Sequence, residues 1–192
     1  LPPYQTGCGV VDMIMHILER YFNPQAEDDL TDGLSAAIIR NVIKNGYIVR
    51  DNPTDYNARF EIMWAGSLAH NGILNGGNGG GDWGAHHIEM EDSAIFDVAH
   101  GAGLSAVWPS WARYVYKKDV ARFAKLGRTV FAIAEQDDEK AALAGIDKME
   151  DFFRQIHMPV SLTELGVKAT EEQLHEMARK CQSSWKFSSW QT

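Results

Sequence analysis

The sequence predicts an all-α fold, a helical bundle of about seven to nine helices. Hydrophobic residues recur at helical spacing along most of the chain, and the alternating pattern of a half-buried strand is scarce. Proline, Asn-Gly and capping-box signals divide the chain into segments of ordinary helix length. The 192 residues are enough for a substantial core, and neither a linker nor an internal repeat splits them.

Three helices are predicted in the first part of the chain. They cover residues 6–22, 30–44 and a segment that begins after Asn52-Pro53, where Thr54 can act as the N-cap, and continues through "DYNARFEIMWAGSLAHNG". The first helix should end at Asn23-Pro24, because the residue before a proline avoids the helical region. The second should end at Asn45-Gly46, a common helix stop.

Glycine dominates residues 75–84, "NGGNGGGDWG". Because the Gly-Lys-Ser/Thr ending of a phosphate-binding loop is missing and no strand precedes it, we interpret this segment as a connector. A short helix, "AHHIEMEDSAIF", and a longer one, "HGAGLSAVWPSWARYVY", should follow, the second with a kink near Pro109.

The last part of the chain predicts further amphipathic helices. They cover 117–134 and 138–156, and two capping boxes, "SLTE" at 161–164 and "TEEQ" at 170–173, indicate two more helix starts. We therefore expect one helical domain over 1–182 and an irregular tail over 183–192.

Composition excludes several classes of function. Eighteen basic and 26 acidic residues give a net charge of −8, which argues against nucleic acid or an anionic membrane as a partner. No apolar run reaches the roughly 18 residues of a membrane span, and no secretory signal is present. The only cysteines, Cys8 and Cys181, are too few for a disulfide framework, so we expect reduced thiols in a cytoplasmic protein.

The first helix carries an unusual pair on an apolar background. Asp12 and His16 in "CGVVDMIMH" are four residues apart and therefore lie on the same face. A buried carboxylate is costly unless a cation meets it, and the nearest basic residue is Arg20, one turn beyond His16. Either a hydrogen-bonded Asp–His pair without metal or a metal site would account for this pair.

Two later histidines favour the metal site. His86 lies on the short helix after the glycine-rich segment, and His100 lies fourteen residues further on, at the start of the next helix. One carboxylate and three imidazoles form a ligand set suited to Fe²⁺ or Zn²⁺ and too rich in nitrogen for Mg²⁺ or Ca²⁺.

Four segments resemble a known family. "LPPYQTGCGVVDMIMHILERYF", "ARFEIMWAGSLAHNG", "GGDWGAHHIEMEDSAIFDVAHGAGLSAVWPSW" and "MPVSLTELG" are similar, in order and spacing, to the helical C-terminal half of the iron-containing alcohol dehydrogenases, in the branch of butanol dehydrogenases and aldehyde reductases. The resemblance implies a catalytic metal ion, Fe²⁺ or else Zn²⁺. The ligands that it implies are Asp12, His16, His86 and His100.

The chain departs from this family at one position near the site. The family carries a further histidine one turn after the third ligand, close to the nicotinamide, where this chain has Met90. Methionine cannot donate a proton, so that histidine's role cannot be assigned here. His87 is adjacent to a ligand, but its side chain should point about 100° away around the helix.

The resemblance also implies a larger enzyme. Family members have an N-terminal dinucleotide-binding domain, which these 192 residues lack, so NAD or NADP would be bound by another part of the protein. The implied activity is that of an alcohol dehydrogenase or aldehyde reductase acting on a small alcohol or aldehyde, and we expect a homo-oligomer, a dimer. Two alternatives stay open: a metal-dependent hydrolase, and a metal-binding helical domain without catalysis of its own.

The other histidines have simpler explanations. His70 lies near the end of the third predicted helix, where a helix-end or packing role is expected. His157 and His175 are expected at the surface or at helix ends. Trp83 lies three residues before an implied ligand, so its surroundings are expected to border the pocket.

Overall fold

The described residues form an all-helical bundle, as predicted. A computed structural model describes residues 1–23, 28–76 and 80–184, and in these ranges it contains nine α-helices, two short 3₁₀ helices and no strand. The α-helices are α1 (Pro3–Tyr21), α2 (Asp29–Asp51), α3 (Tyr56–His70), α4 (Gly84–Phe96), α5 (His100–Val115), α6 (Val120–Phe131), α7 (Asp138–Gln155), α8 (Leu162–Leu165) and α9 (Glu171–Ser184).

Helix α1 runs through the middle of the bundle. It packs against α2, α3, α4 and α5, and most of its apolar side chains from Val10 onward are buried, including Val11, Ile14 and Ile17. Buried hydrophobic residues from α1 through α7 form one continuous core. Any polar group on the inner faces of α1 is thus enclosed by helices from later parts of the chain.

The predicted end of the second helix is wrong. Helix α2 continues through Asn45 and Gly46 to Asp51. The side-chain amide of Asn45 donates to the Asn41 carbonyl oxygen one turn earlier, at 2.9 Å, so this side chain bonds within the helix and does not end it. Gly46 lies at a close helix contact, where a Cβ would be 3.2 Å from the Phe152 ring of α7. This glycine allows close packing and does not end the helix.

The N-caps are partly as predicted. Helix α3 is capped by Asp55, whose carboxylate accepts from the Ala58 amide at 2.9 Å, and Thr54 instead bonds to the Asn52 side chain. The capping box before α9 is confirmed, since Thr170 Oγ1 accepts from the Gln173 amide and Gln173 Oε1 accepts from the Thr170 amide.

A glycine fixes how α5 meets α1. A Cβ on Gly101 would lie 2.1 Å from the Cys8 carbonyl oxygen, so no other residue fits there without displacing one of the helices. His100 is the residue before it and the first of α5, and the close contact therefore places His100 beside the polar face of α1.

Parts of two predicted segments lie outside the described residues. Of the glycine-rich connector, residues 77–79 lie outside the described residues, and so do residues 185–192 of the predicted tail. Helix α9 extends to Ser184, slightly past the predicted domain end at residue 182. Among the described residues, none of the helices combines the length and the apolar character needed to cross a bilayer.

Candidate metal centre

Four imidazoles from four helices surround the carboxylate of Asp12, which makes a cluster of five side chains. Asp12 and His16 come from α1, His70 from the end of α3, His86 from the first turn of α4 and His100 from the start of α5. Asp12 Oδ1 lies 3.2 Å from His16 Nδ1, 3.4 Å from His100 Nε2 and 3.9 Å from His86 Nε2. Its other oxygen, Oδ2, lies 3.3 Å from His70 Nε2.

The five residues form two overlapping groups. In one group, Asp12, His86 and His100 each offer a ligand atom, and these atoms all lie within 4.8 Å of one another. Asp12, His16 and His70 form the second group by the same measure. The rings are in direct contact across the groups, since the centroids of His16 and His86 are 4.7 Å apart.

Two buried glutamates orient the imidazoles of the first group. His86 Nδ1 lies 3.2 Å from Glu19 Oε1, and His100 Nδ1 is hydrogen-bonded to Glu89 Oε2. Both glutamates are buried, at 1% and 0% exposure. A carboxylate is an acceptor, so each Nδ1 carries a proton, and each Nε2 faces Asp12, with a lone pair in the neutral imidazole and with an N–H when the ring is protonated.

The sequence reasoning missed these two glutamates, although helical spacing contains a signal for them. Glu19 lies three residues after His16, and Glu89 lies three residues after His86. Each acidic residue is therefore on nearly the same face of its helix as an implied metal ligand. Carboxylates that orient metal-binding histidines are common in the outer shell of metal sites.

The unsatisfied polar atoms of the site fit a bound cation. Asp12 Oδ1 and His86 Nε2 are both buried, and neither has a hydrogen-bond partner of acceptable geometry among the described residues. Such atoms are costly to bury unless a partner satisfies them. A divalent ion between the two would coordinate both, and carboxylate oxygen with imidazole nitrogen is a donor set suited to Fe²⁺ or Zn²⁺.

The pKa values of the site follow from the same contacts. Burial raises the pKa of Asp12, but the nearby imidazoles of His100, His16 and His86 outweigh it and hold the pKa well below its usual range. The carboxylates of Asp12 and Glu89 on either side of the ring raise the pKa of His100 to about 10. Burial lowers the pKa of His86, yet the nearby carboxylates of Asp12 and Glu19 raise it overall. Protons and a metal ion therefore compete for the same atoms.

Arg20 does not neutralise Asp12. Its guanidinium donates to the Asn75 side chain at 2.6 Å and to the backbone oxygens of His16 and Ala69. It also lies over the ring of Trp83, 4.8 Å from the centroid. Arg20 instead stabilises the wall of the site, because it ties α1 to the end of α3 and to the 3₁₀ helix Ile73–Asn75.

Trp83 borders the cluster, as expected. Its ring packs edge-on against His16 and His86, with centroid distances of 5.3 and 5.1 Å. Trp83 has φ of 63°, and its indole donates to the Gly80 carbonyl oxygen at 2.8 Å. The part of the glycine-rich connector that the structure describes therefore supplies a wall of the cluster, and a 3₁₀ helix, not a strand, precedes it.

Apart from His70, the remaining predicted positions belong to neither of the two groups among the described residues. Met90 is 53% exposed, and His87 belongs to neither metal-capable group among the described residues. His157 and His175 are exposed, consistent with the surface roles expected of them. His70 does end a helix, but the structure also places it against Asp12, which the sequence reasoning did not anticipate.

The family model for the Fe-containing alcohol dehydrogenase family, C-terminal, matches residues 6–187. An NADH-dependent butanol dehydrogenase B of Clostridium acetobutylicum is 37% identical over 183 residues, which are 94% of this chain and 46% of the relative. An NADPH-dependent aldehyde reductase of Escherichia coli is 30% identical over 87% of this chain and 43% of its own length.

The fold agrees with solved structures of such proteins. The crystal structure of an NADH-dependent butanol dehydrogenase A from Thermotoga maritima superimposes with a TM-score of 0.89 at 35% identity, covering 94% of this chain and 44% of that one. The chain thus spans about half the length of the curated relatives it matches. It belongs to the Fe-containing alcohol dehydrogenase family and corresponds to the C-terminal part of that family's members.

Proposed function

We propose that this chain is the metal-binding catalytic part of an NAD(P)-linked alcohol dehydrogenase or aldehyde reductase. The observation that carries the proposal is the convergence of His86 Nε2 and His100 Nε2 on Asp12 Oδ1, with Asp12 Oδ1 and His86 Nε2 buried and unpartnered. The proposed ligands are Asp12, His16, His86 and His100, and the proposed ion is Fe²⁺, with Zn²⁺ as the other candidate. The names of the relatives support a small alcohol or aldehyde as substrate.

The bound ion would supply a Lewis acid that polarises the substrate oxygen, while hydride transfer is the chemistry of the nicotinamide. The residues of this chain position these groups. Asp12 provides the negative charge at the centre, and Glu19 and Glu89 hold the imidazoles of His86 and His100 in the tautomer that leaves Nε2 free.

The exposure of the histidine side chains indicates from which side a substrate approaches the site. The His86 side chain is only 9% exposed, whereas those of His70 and His100 are 41% and 44% exposed. A substrate must therefore enter on the side of His70 and His100, since Trp83 and α4 cover the side of His86. We propose that the nucleotide-binding half of the enzyme, and with it the nicotinamide, faces this open side.

Metal analysis of the purified chain tests the proposal. We expect about one equivalent of iron or zinc per chain, and an Asp12→Ala variant should lose most of it, because the shared carboxylate is removed. Asp29→Ala is the matched control, since Asp29 is 98% exposed and lies outside the cluster. Full metal occupancy in Asp12→Ala would contradict the assignment.

An activity assay separates the competing functions. NADH and NADPH oxidation with a short aldehyde would be followed by absorbance, for the chain alone and after addition of a separately expressed nucleotide-binding half. Phosphate release from a phosphate ester would be measured in parallel. Turnover only in the combined sample supports the dehydrogenase, phosphate release supports the hydrolase, and no turnover in either supports a metal-binding domain without catalysis.

A further inference from the structure

His70 occupies a position that its place in the sequence did not assign to the centre. It is the last residue of α3, and its Nε2 lies 3.3 Å from Asp12 Oδ2, the oxygen that His86 and His100 do not face. Its ring also packs on His16, with 4.1 Å between the centroids. The contact depends on helix α3 lying close to α1, where a Cβ on Gly66 would be 3.0 Å from the end of Met13.

The hydrogen bonds of His70 are those of a metal-binding imidazole. Nδ1 lies 2.8 Å from the Gly66 carbonyl oxygen, which can only accept, so Nδ1 carries the proton. The lone pair of Nε2 then points at the Asp12 carboxylate. His86 and His100 show the same arrangement, with a glutamate in place of the carbonyl. In the neutral imidazole two lone pairs face each other and repel, and either a proton or a metal ion between them removes the repulsion.

A helix-end role alone does not explain this arrangement. Two carbonyl oxygens at the end of α3 already have other partners, since the Asn71 amide donates to the Ser67 oxygen at 3.1 Å and Arg20 donates to the Ala69 oxygen at 3.2 Å. The ring of His70 instead turns inward, so that its second nitrogen reaches a carboxylate on another helix. Packing alone would not require Nε2 to face an oxygen.

We propose that His70 is a further ligand of the metal ion, contributed by α3, so that the ion is held by Asp12, His16, His86, His100 and His70. This inference rests on the metal centre of the proposed function. The ligand atoms of Asp12, His16 and His70 lie within 4.8 Å of one another. Two ligands of one ion, each about 2.1 Å from it, are at most about 4.2 Å apart, so a shift of well under 1 Å brings this group to bonding distance.

Titration of the metal-free chain with Co²⁺ tests the proposal, because Co²⁺ reports its coordination in visible absorption. We expect His70→Ala to weaken Co²⁺ binding at least about tenfold and to change the visible spectrum toward lower coordination, with more intense bands. His70→Gln should behave alike, since its amide can still donate to the Gly66 oxygen but is a poor ligand. His175→Ala, an exposed histidine on α9, is the matched control and should leave both readouts unchanged.

The outcomes distinguish this proposal from the proposed function. A wild-type chain that bound no Co²⁺ would contradict the metal centre as a whole. If the wild type binds Co²⁺ and both His70 variants show the wild-type spectrum, His70 is not a ligand, even where affinity falls. Thermal unfolding of the metal-free proteins identifies a variant that fails to fold, and the other His70 variant then decides.

Discussion

Asp32 and Asp12 are each surrounded by basic side chains, but only the Asp32 carboxylate is paired with arginine and lysine. Arg122 joins α6 to α2 through a two-pronged ion pair with Asp32, at 2.8 Å for Nη2–Oδ1 and 3.2 Å for Nη1–Oδ2. Lys125 adds a contact to Asp32 at 2.7 Å, and Arg122 Nε also donates to the Tyr21 carbonyl oxygen. Both oxygens of the Asp32 carboxylate thus face a positively charged arginine or lysine side chain.

The Asp12 cluster has no such cation. Around its carboxylate the described residues place imidazoles, whose charge depends on protonation, and one buried oxygen and one buried nitrogen lack a partner. A stabilising ion pair satisfies its groups within the protein, whereas a binding site leaves groups that a ligand must satisfy. The Arg122–Asp32 pair therefore has a structural role, whereas the unsatisfied atoms of the Asp12 cluster support the proposed binding role.

The largest expected effect is the loss of stability on removing Arg122 from its ion pair with Asp32. Arg122→Ala leaves Asp32 buried, with only the half-exposed Lys125 as partner, and should lower the free energy of unfolding by about 3 to 5 kcal/mol in urea denaturation. Co²⁺ affinity of the folded protein should stay within about twofold of wild type. Lys125→Ala should cost less than about 1 kcal/mol, because Lys125 is 40% exposed. Equal losses in the two variants would contradict the assigned role of Arg122.

The second prediction concerns Glu89, which is not a proposed ligand but holds one of them. In Glu89→Gln, the amide that replaces the buried carboxylate no longer fixes the proton on His100 Nδ1. Co²⁺ affinity should fall about 10- to 100-fold, equivalent to about 1.4 to 2.8 kcal/mol. Glu91→Gln, on the same helix, should show no loss. Unchanged affinity in Glu89→Gln would show that the glutamate does not orient the histidine.

These clusters show what the sequence could predict. Local spacing predicts that Asp12 and His16 share a face, because four residues make about one helical turn. It also predicts the capping box at Thr170, since both of its hydrogen bonds join residues three apart. Features of this kind depend on neighbours along the chain.

Features that depend on contacts between helices were missed. His70 approaches Asp12 only because α3 packs on α1, and its place in "LAHNG" resembles an ordinary helix end. Gly46 was predicted to end a helix because the contact with Phe152 is more than a hundred residues away in the chain. The resemblance to the family predicted which distant histidines approach Asp12, but it could not predict His70, which lies outside the family's ligand motif.

The third prediction concerns a buried carboxyl group that lies outside both clusters. Asp92 of α4 is fully buried, and both of its oxygens lack a hydrogen-bond partner among the described residues. It borders a cavity of about 700 Å³ whose lining also includes Trp111 and Met177. Burial, and to a smaller degree the charge of Glu89, raises the pKa of Asp92 to about 6.

The raised pKa makes stability depend on pH. The folded state keeps the Asp92 proton up to about pH 6, whereas the unfolded chain releases it near 3.8. The stabilisation is therefore complete below the lower value and is lost as pH rises through the higher one. Relative to wild type, Asp92→Asn should gain about 1.4 kcal/mol in free energy of unfolding between pH 5 and pH 8. The exposed Asp151→Asn serves as the control, and a pH-independent difference for Asp92→Asn would contradict a protonated carboxyl.

The smallest expected effect lies outside both clusters. Thr170→Ala removes the side-chain acceptor of the Gln173 amide and should cost about 1 kcal/mol, detected as faster amide hydrogen exchange along α9. Helix α9 packs on α4, which carries His86 and Glu89, so loosening α9 tests whether this outer helix supports the candidate metal centre. His86 is held by Glu19 of α1, and Glu89 is held by His100 of α5. We therefore expect Co²⁺ affinity to be unchanged. A loss of affinity in Thr170→Ala would show that the geometry of the centre depends on the outer helix as well as on its own buried carboxylates.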